Sequence, residues 1–296
     1  MPATSTANNG FLIFDADSAN CTDPSTNPPL FDQTALLGTI TSPMIDLSAV
    51  PAAVFSFEYV SRWCCAGAGL LTLVEFSGDG GATWPLALEV EHNIVNELQN
   101  GTFDANVTNV LGGAAQAMFR ISWDLQSHYY FVVDDVMINP APDADTKMLS
   151  AYVSHNGTGE EYGRVPSNQT GQNMLIGAQV TNFGATAQDN VQLEADFSGP
   201  TAFSGMASLS MLAVGDSAFL EDVSVSGPLM VGDYEGTFTV SSDSDTSGGP
   251  EFGNNVLTRE FEVSSSTYSI DGIGVYPTNV LTDLGTANFT GAADGF

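Results

Sequence analysis

The sequence predicts an all-β chain of small sandwich-like modules, and three observations carry that expectation. Apolar and polar residues alternate with period two along the whole chain, while helical periodicity is almost absent. Clusters rich in Gly, Pro and Asp, notably residues 23–29 and 78–81, separate the alternating runs as turns. Residues 139–145 (NPAPDAD) contain two prolines that cannot donate to a strand ladder, so this stretch reads as a linker.

Taken in order, residues 11–15 (FLIFD) form the first short strand. In VFSFEY, residues 54–59, Phe55, Phe57 and Tyr59 point to one face and Ser56 and Glu58 to the other. Residues 70–76, 118–123 and 129–138 follow the same logic. Beyond the linker, residues 148–154, 174–183, 191–197, 217–225, 234–241 and 256–263 are strands at the spacing of an immunoglobulin-like sandwich. The expected organisation is a first module at 1–140, a second at 145–265, and at 266–296 the start of a third, too short to close a sheet core unaided.

Thirty-five acidic side chains against five basic ones give a net charge of −30 over 296 residues. Such a surface repels phosphate backbones and anionic membranes, which excludes nucleic acid as a partner. A hydrophobic content of 43% argues against wholesale disorder, and no apolar run reaches the length of a spanning helix. The first ten residues lack the basic and apolar regions of a secretory signal. With a single lysine and abundant Thr, Ser, Asn and Gly, the chain nevertheless reads as an exported protein whose beginning is missing, and as a monomer.

Six pieces carry a family resemblance: residues 11–17 (FLIFDAD), 36–47 (LLGTITSPMIDL), 54–59, 74–84 (VEFSGDGGATW), 119–123 (FRISW) and 131–138 (FVVDDVMI). In order and spacing they resemble the MAM-like, "choice-of-anchor" jelly rolls of large secreted proteins of Bacteroidetes-type bacteria. That resemblance implies a jelly roll of concanavalin-like type, secretion by the type IX route, and one or two strands preceding residue 11 that this chain lacks. The second module is similar to CARDB-like immunoglobulin-fold domains through residues 180–184 (VTNFG), 214–216 (VGD), 231–234 (VGDY) and 253–255 (GNN).

The carboxylate pairs Asp15/Asp17 and Asp134/Asp135 are the metal candidates. The first and last strands of a jelly roll can approach each other, and the resemblance implies a structural Ca²⁺, which takes six to eight oxygen ligands. Against it stands a plainer role, with Asp134 and Asp135 satisfying neighbouring backbone amides. A second acidic stretch, Asp243-Ser244-Asp245 with Glu251, lacks EF-hand spacing and reads as a solvated hairpin tip rather than a cation site. Cys21, Cys64 and Cys65 permit one disulfide. Neighbouring strand residues face opposite ways, so Cys21 bridges to Cys64 or Cys65 more easily than those two bridge to each other. Residues 77–84 (SGDGGATW) fit the Asp-box hairpin, whose aspartate caps turn amides. It occurs once, so it is a structural turn rather than a propeller repeat.

No nucleophile motif, zinc-protease motif or other catalytic constellation is present, so no enzyme is expected in these residues. The expected function is a non-catalytic extracellular or cell-surface module for adhesion or glycan binding, with Trp63 the ring best placed for sugar stacking. Its partner would be an extracellular glycan or a cell-surface protein. The alternative is an accessory region of a secreted hydrolase, peptidase or glycosidase, whose catalytic domain lies elsewhere.

Overall fold

The computed structural model describes residues 4–25, 30–31, 36–62, 72–90, 97–126, 128–154, 161–170, 174–223, 227–249 and 251–269. Within them the alternating runs are strands, and the chain divides into two units, Met1–Asp143 with Phe183–Ala185, and Ala144–Asn182 with Thr186–Phe296. No helix of the described residues is long and apolar enough to cross a membrane.

The first unit contains β1 (Leu12–Asp15), a helical turn α1 (Ala16–Asn20), β2 (Cys21–Asp23), β3 (Leu30–Phe31), β4 (Leu36–Thr41), β5 (Ala53–Arg62), β6 (Thr72–Ser77), β7 (Leu86–Glu89), β8 (Gln99–Asn106), α2 (Thr108–Leu111), β9 (Met118–Gln126) and β10 (Tyr130–Pro140). One sheet has the order β1-β10-β5-β8 and the other β4-β9-β6-β7, with every neighbour antiparallel. From β4 to β10 the chain passes back and forth between the two sheets, except at β6 and β7, which pair within one sheet, and the two sheets form an all-β sandwich. The expected alternation holds in β5, where Phe55 and Phe57 are buried. Phe55 meets Phe76 of the opposite sheet edge-on at 5.0 Å, and Phe57 stacks on Phe103 of β8 at 5.1 Å. Ile121, Trp123 and Phe131 complete this core.

The second unit contains β11 (Thr146–Ser154), β12 (Arg164–Pro166), β13 (Leu175–Asn182), β14 (Gln188–Ser198), β15 (Phe203–Leu212), β16 (Ser217–Asp222), β17 (Gly232–Ser241) and β18 (Val256–Ser264). A three-stranded sheet, β11-β13-β16, faces a five-stranded one, β12-β18-β17-β14-β15, in which only β12 runs parallel to its neighbour. Tyr234 stacks on Phe261 at 5.1 Å, and Phe197 stacks on Phe203 at 4.4 Å. Phe197 also lies over Gly236, its partner across the ladder; a Cβ there would sit 2.3 Å from the ring, so only glycine lets the ring settle on the backbone. Arg164 pairs with Ser269, so strand-like pairing continues past residue 265, while residues 270–296, with the expected third module, lie outside the described residues.

Several elements differ from expectation. The stretch read as a linker starts as strand: β10 runs to Pro140, opposite Ala53, and the ladder tolerates the proline because the next amide, Ala141, donates to Ala52. Polar β8 offers only Phe103 and Ala105 as apolar inward residues. In β15 the large residues Met206 and Met211 face outward while small Gly205 and Ala207 face in, which inverts the usual signal. A register shift between Asp134 and Met137, with Asp135 in a left-handed conformation (φ 47°), breaks the simple alternation of β10.

The Asp-box hairpin folds as its residues dictate. Asp79 accepts hydrogen bonds from Ser77 Oγ (2.7 Å), Thr83 N (2.9 Å) and Thr83 Oγ1 (2.7 Å), and Gly80 and Gly81 supply the positive φ of the turn. Trp84 stacks with the Arg120 guanidinium, 4.3 Å from its ring centre, and Arg120 holds Glu75 through two bonds of 2.6 and 2.7 Å.

Two predictions follow from this packing. Truncating Phe55 or Phe238, each buried in the core of its own unit, by Phe→Ala should cost about 3–5 kcal/mol in that unit. Denaturant unfolding of the variants measures it; a cost below about 1 kcal/mol would contradict the packing. The hydrogen bonds from Thr83 and Ser77 hold the Asp79 carboxyl down at about 2. A depressed native value means that its stabilisation is present above the unfolded value, near 4, and is lost as pH falls through about 2. Carboxyl-carbon NMR should place the Asp79 midpoint near 2, and D79N should flatten the loss of stability between pH 4 and 2; a midpoint near 4 would refute the capped turn.

Candidate functional site

The four aspartates expected to share a cation are placed in two separate groups. Asp15 pairs with Tyr130, whereas Val133, the residue before Asp134, pairs with Leu12. The two pairs therefore stand apart by the length of β1, on the order of 13 Å at ~3.3 Å per residue. Asp15 uses its carboxylate as the N-cap of α1, accepting from Ser18 N at 2.9 Å, and Asp17 lies 3.4 Å from His128 Nδ1.

At the other end, the bulge in β10 brings Asp134 and Asp135 under the segment 4–6. Thr4 Oγ1 donates to Asp134 Oδ2 (2.6 Å), Ser5 Oγ to Asp135 Oδ2 (2.9 Å) and Thr6 Oγ1 to Asp135 Oδ1 (2.6 Å). Ser5 N donates to Glu58 Oε2 (2.6 Å), and the Asp135 amide donates to Asp134 Oδ1 (2.9 Å). Strict alternation would separate these neighbouring side chains; the bulge and the left-handed Asp135 instead let one peptide segment hold both. The four aspartates do not fit a single Ca²⁺ shared by the first and last strands. Among the described residues no three His, Cys, Asp or Glu side chains are grouped to hold a metal.

Cys21, on β2, is half-buried and has a free thiol among the described residues; Cys64 and Cys65 lie outside them, as does Trp63. Among other aromatic rings that could stack on a sugar, Trp123 is buried in the core, Tyr129 carries the Arg62 guanidinium 4.4 Å from its centre, and Trp84 is half-buried under Arg120.

The second unit holds the polar cluster that the sequence does not single out. Asp145, read from its prolines and position as linker, is 2% exposed, and Asp245, read as part of a solvated hairpin tip, is 3% exposed. Three segments meet there: the start of β11, the turn after β17, and a 3-10 turn (Phe252–Asn254) leading into β18. Asp245 Oδ2 accepts Thr146 N and Asn255 Nδ2, both at 2.7 Å, and Asn254 Nδ2 donates to Asp145 Oδ1 at 3.1 Å. Behind them Ser242 Oγ donates to Gln188 Oε1 (2.7 Å) and receives the Asp245 amide (2.9 Å). Burial pushes the Asp145 carboxyl up to about 6; the Asn254 bond opposes this, and repulsion from Asp245 and Glu251 adds to it. The signal in the sequence was the pairing of Asp145-Thr146 with Asn254-Asn255, two polar doublets at the starts of β11 and β18.

No protein-family model matches the sequence, and no curated protein matches it significantly. Among solved structures, the CARDB domain of a Pyrococcus furiosus protein, in complex with di-metal ions, is 18% identical, with a TM-score of 0.25, over 42% of this chain and 90% of that one. A calcium-binding mutant of Bacteroides uniformis β-glucuronidase 2 is 7% identical, with a TM-score of 0.36, over 84% of this chain and 28% of that one. Amycolatopsis orientalis exo-chitosanase is 10% identical, with a TM-score of 0.31, over 86% of this chain and 33% of that one. The chain thus spans a third or less of the length of these two enzymes, and at such identities each likeness concerns the backbone alone.

Proposed function

We propose that this chain is a non-catalytic pair of extracellular β-sandwich modules that binds a glycan or a cell-surface protein in adhesion. The observation behind this reading is how the carboxylates of the first unit are used. Asp15, Asp79, Asp134 and Asp135 are each engaged by amides or hydroxyls of their own turn or of segment 4–6. Carboxylates saturated in this way hold loops in place and are poorly set up for proton transfer, which needs a group free to reach a substrate. Each unit closes its own core, a design suited to modules strung along a longer surface protein, and the acidic exterior keeps neighbouring modules soluble and apart.

A glycan array probed with the full chain tests this reading. Binding to one glycan class, weakened at least about tenfold by Trp63→Ala, is the expected result, since stacking rings carry much of the energy at sugar sites. Turnover of chromogenic glycosides or peptide substrates by the purified chain, without saturable binding to any glycan or cell surface, would overturn it.

A further inference from the structure

The end of the second sandwich where β11 starts and β17 and β18 are joined contains more acceptors than donors. Asp145 and Asp245 lie at 2% and 3% exposure beside Thr146 and Asn255, which are fully buried. Three buried side-chain oxygens, Thr146 Oγ1, Asn254 Oδ1 and Asn255 Oδ1, have no hydrogen-bond partner. All three belong to residues already bonded to one of the two aspartates: Thr146 and Asn255 to Asp245, and Asn254 to Asp145. The orphaned oxygens thus lie on residues that directly contact the carboxylates. Each Asp also keeps one carboxylate oxygen without a hydrogen bond among the described residues.

Buried acceptors left unmatched are costly, and two buried carboxylates near each other more so. Water could fill some of the acceptors, but it does not neutralise the paired charge. Among the charges acting on Asp145, Lys147 acts more weakly than either Asp245 or Glu251. A cation resolves both problems at once.

We propose that this end of the second unit is a Ca²⁺ site, with Asp145 and Asp245 as charged ligands and the oxygens of Thr146, Asn254 and Asn255 filling the sphere together with water. The donors are all hard oxygens, a mixture of carboxylate, amide and hydroxyl that suits the six to eight ligands and irregular geometry of Ca²⁺; neither thiolate nor imidazole belongs to the group. The amide and hydroxyl oxygens of the group are neutral, and only the two aspartates carry charge. The ion would tie three loops into one rigid end. The site is independent of the adhesive function and of the four aspartates of the first unit.

Calorimetric titration of the EDTA-stripped full chain with CaCl2, paired with thermal unfolding, tests the site. Calcium at a hundredfold excess over Kd should raise the second unit's melting temperature by roughly 5–10 °C. Asp145→Asn should weaken binding at least about tenfold. Because it removes one of two repelling charges while its amide oxygen can still accept from Asn254, this variant should melt no lower than the wild type when both are in chelator, so that weakened calcium binding does not come from a lost fold. Asn254→Asp, which adds a third carboxylate, should bind calcium more tightly and melt lower in chelator, and it decides the matter if Asp145→Asn fails to fold. Asp15→Asn and Asp134→Asn should leave the calcium response unchanged. The proposal is overturned if the wild type shows neither heat nor a melting shift with calcium, or if binding is unaltered in both Asp145→Asn and Asn254→Asp, which would place the ion elsewhere.

Discussion

The shortage of positive charge governs how this chain is held together. Thirty-five acidic side chains share five basic ones, and the arginines already have definite tasks. Arg120 holds Glu75 beneath Trp84, Arg164 holds Glu262, Arg259 donates to the Ala151 carbonyl, and Arg62 covers Tyr129. The other carboxylates must find neutral donors, and the nearest are the amides and hydroxyls of their own turns. Asp23 with Ser25, Asp46 with Ser48 and Asp79 with Ser77 and Thr83 repeat this solution, and in each case the donors hold the carboxyl below its ordinary range. The abundance of Ser and Thr is thus the structural counterpart of the abundance of acid.

The same constraint explains why the second unit carries the more telling site. In the first unit, segment 4–6 brings three hydroxyls and an amide to Asp134, Asp135 and Glu58, so each of these charges meets at least one donor. Around Asp145 and Asp245 the donors are backbone and carboxamide N–H groups whose partner oxygens are left over. Both clusters are acidic, but only the second combines burial with unmatched acceptors, and that combination separates a ligand site from a capped turn.

Within each unit, burial follows the pleat. Phe55, Phe57 and Phe76 in the first core, and Phe197, Phe238 and Phe261 in the second, lie on inward positions of their strands. These were legible because large apolar residues alternated with polar ones. Strands such as β8 and β15 were not: β8 has only Phe103 and Ala105 facing in, and in β15 the inward Phe203, Gly205, Ala207, Leu209 and Leu212 are interleaved with outward Met206 and Met211, which masks the alternation. The short turn α1 was hidden for a similar reason: five residues capped by Asp15 carry too little periodicity to register.

By itself, the sequence determined the all-β class, the faces of the long strands and the Asp-box turn, because alternation and turn chemistry are local properties. Only the tertiary structure decided which carboxylates meet. Asp15 and Asp134 are parted because β1 and β10 pair in a register that sets them at different ends. Asp134 and Asp135 are joined because a bulge suspends the alternation. Asp145 and Asp245 come together although a hundred residues separate them, because β11 and the turn after β17 end at the same edge of one sandwich. Register and strand order are set by pairing across the whole chain, so no local pattern contains them.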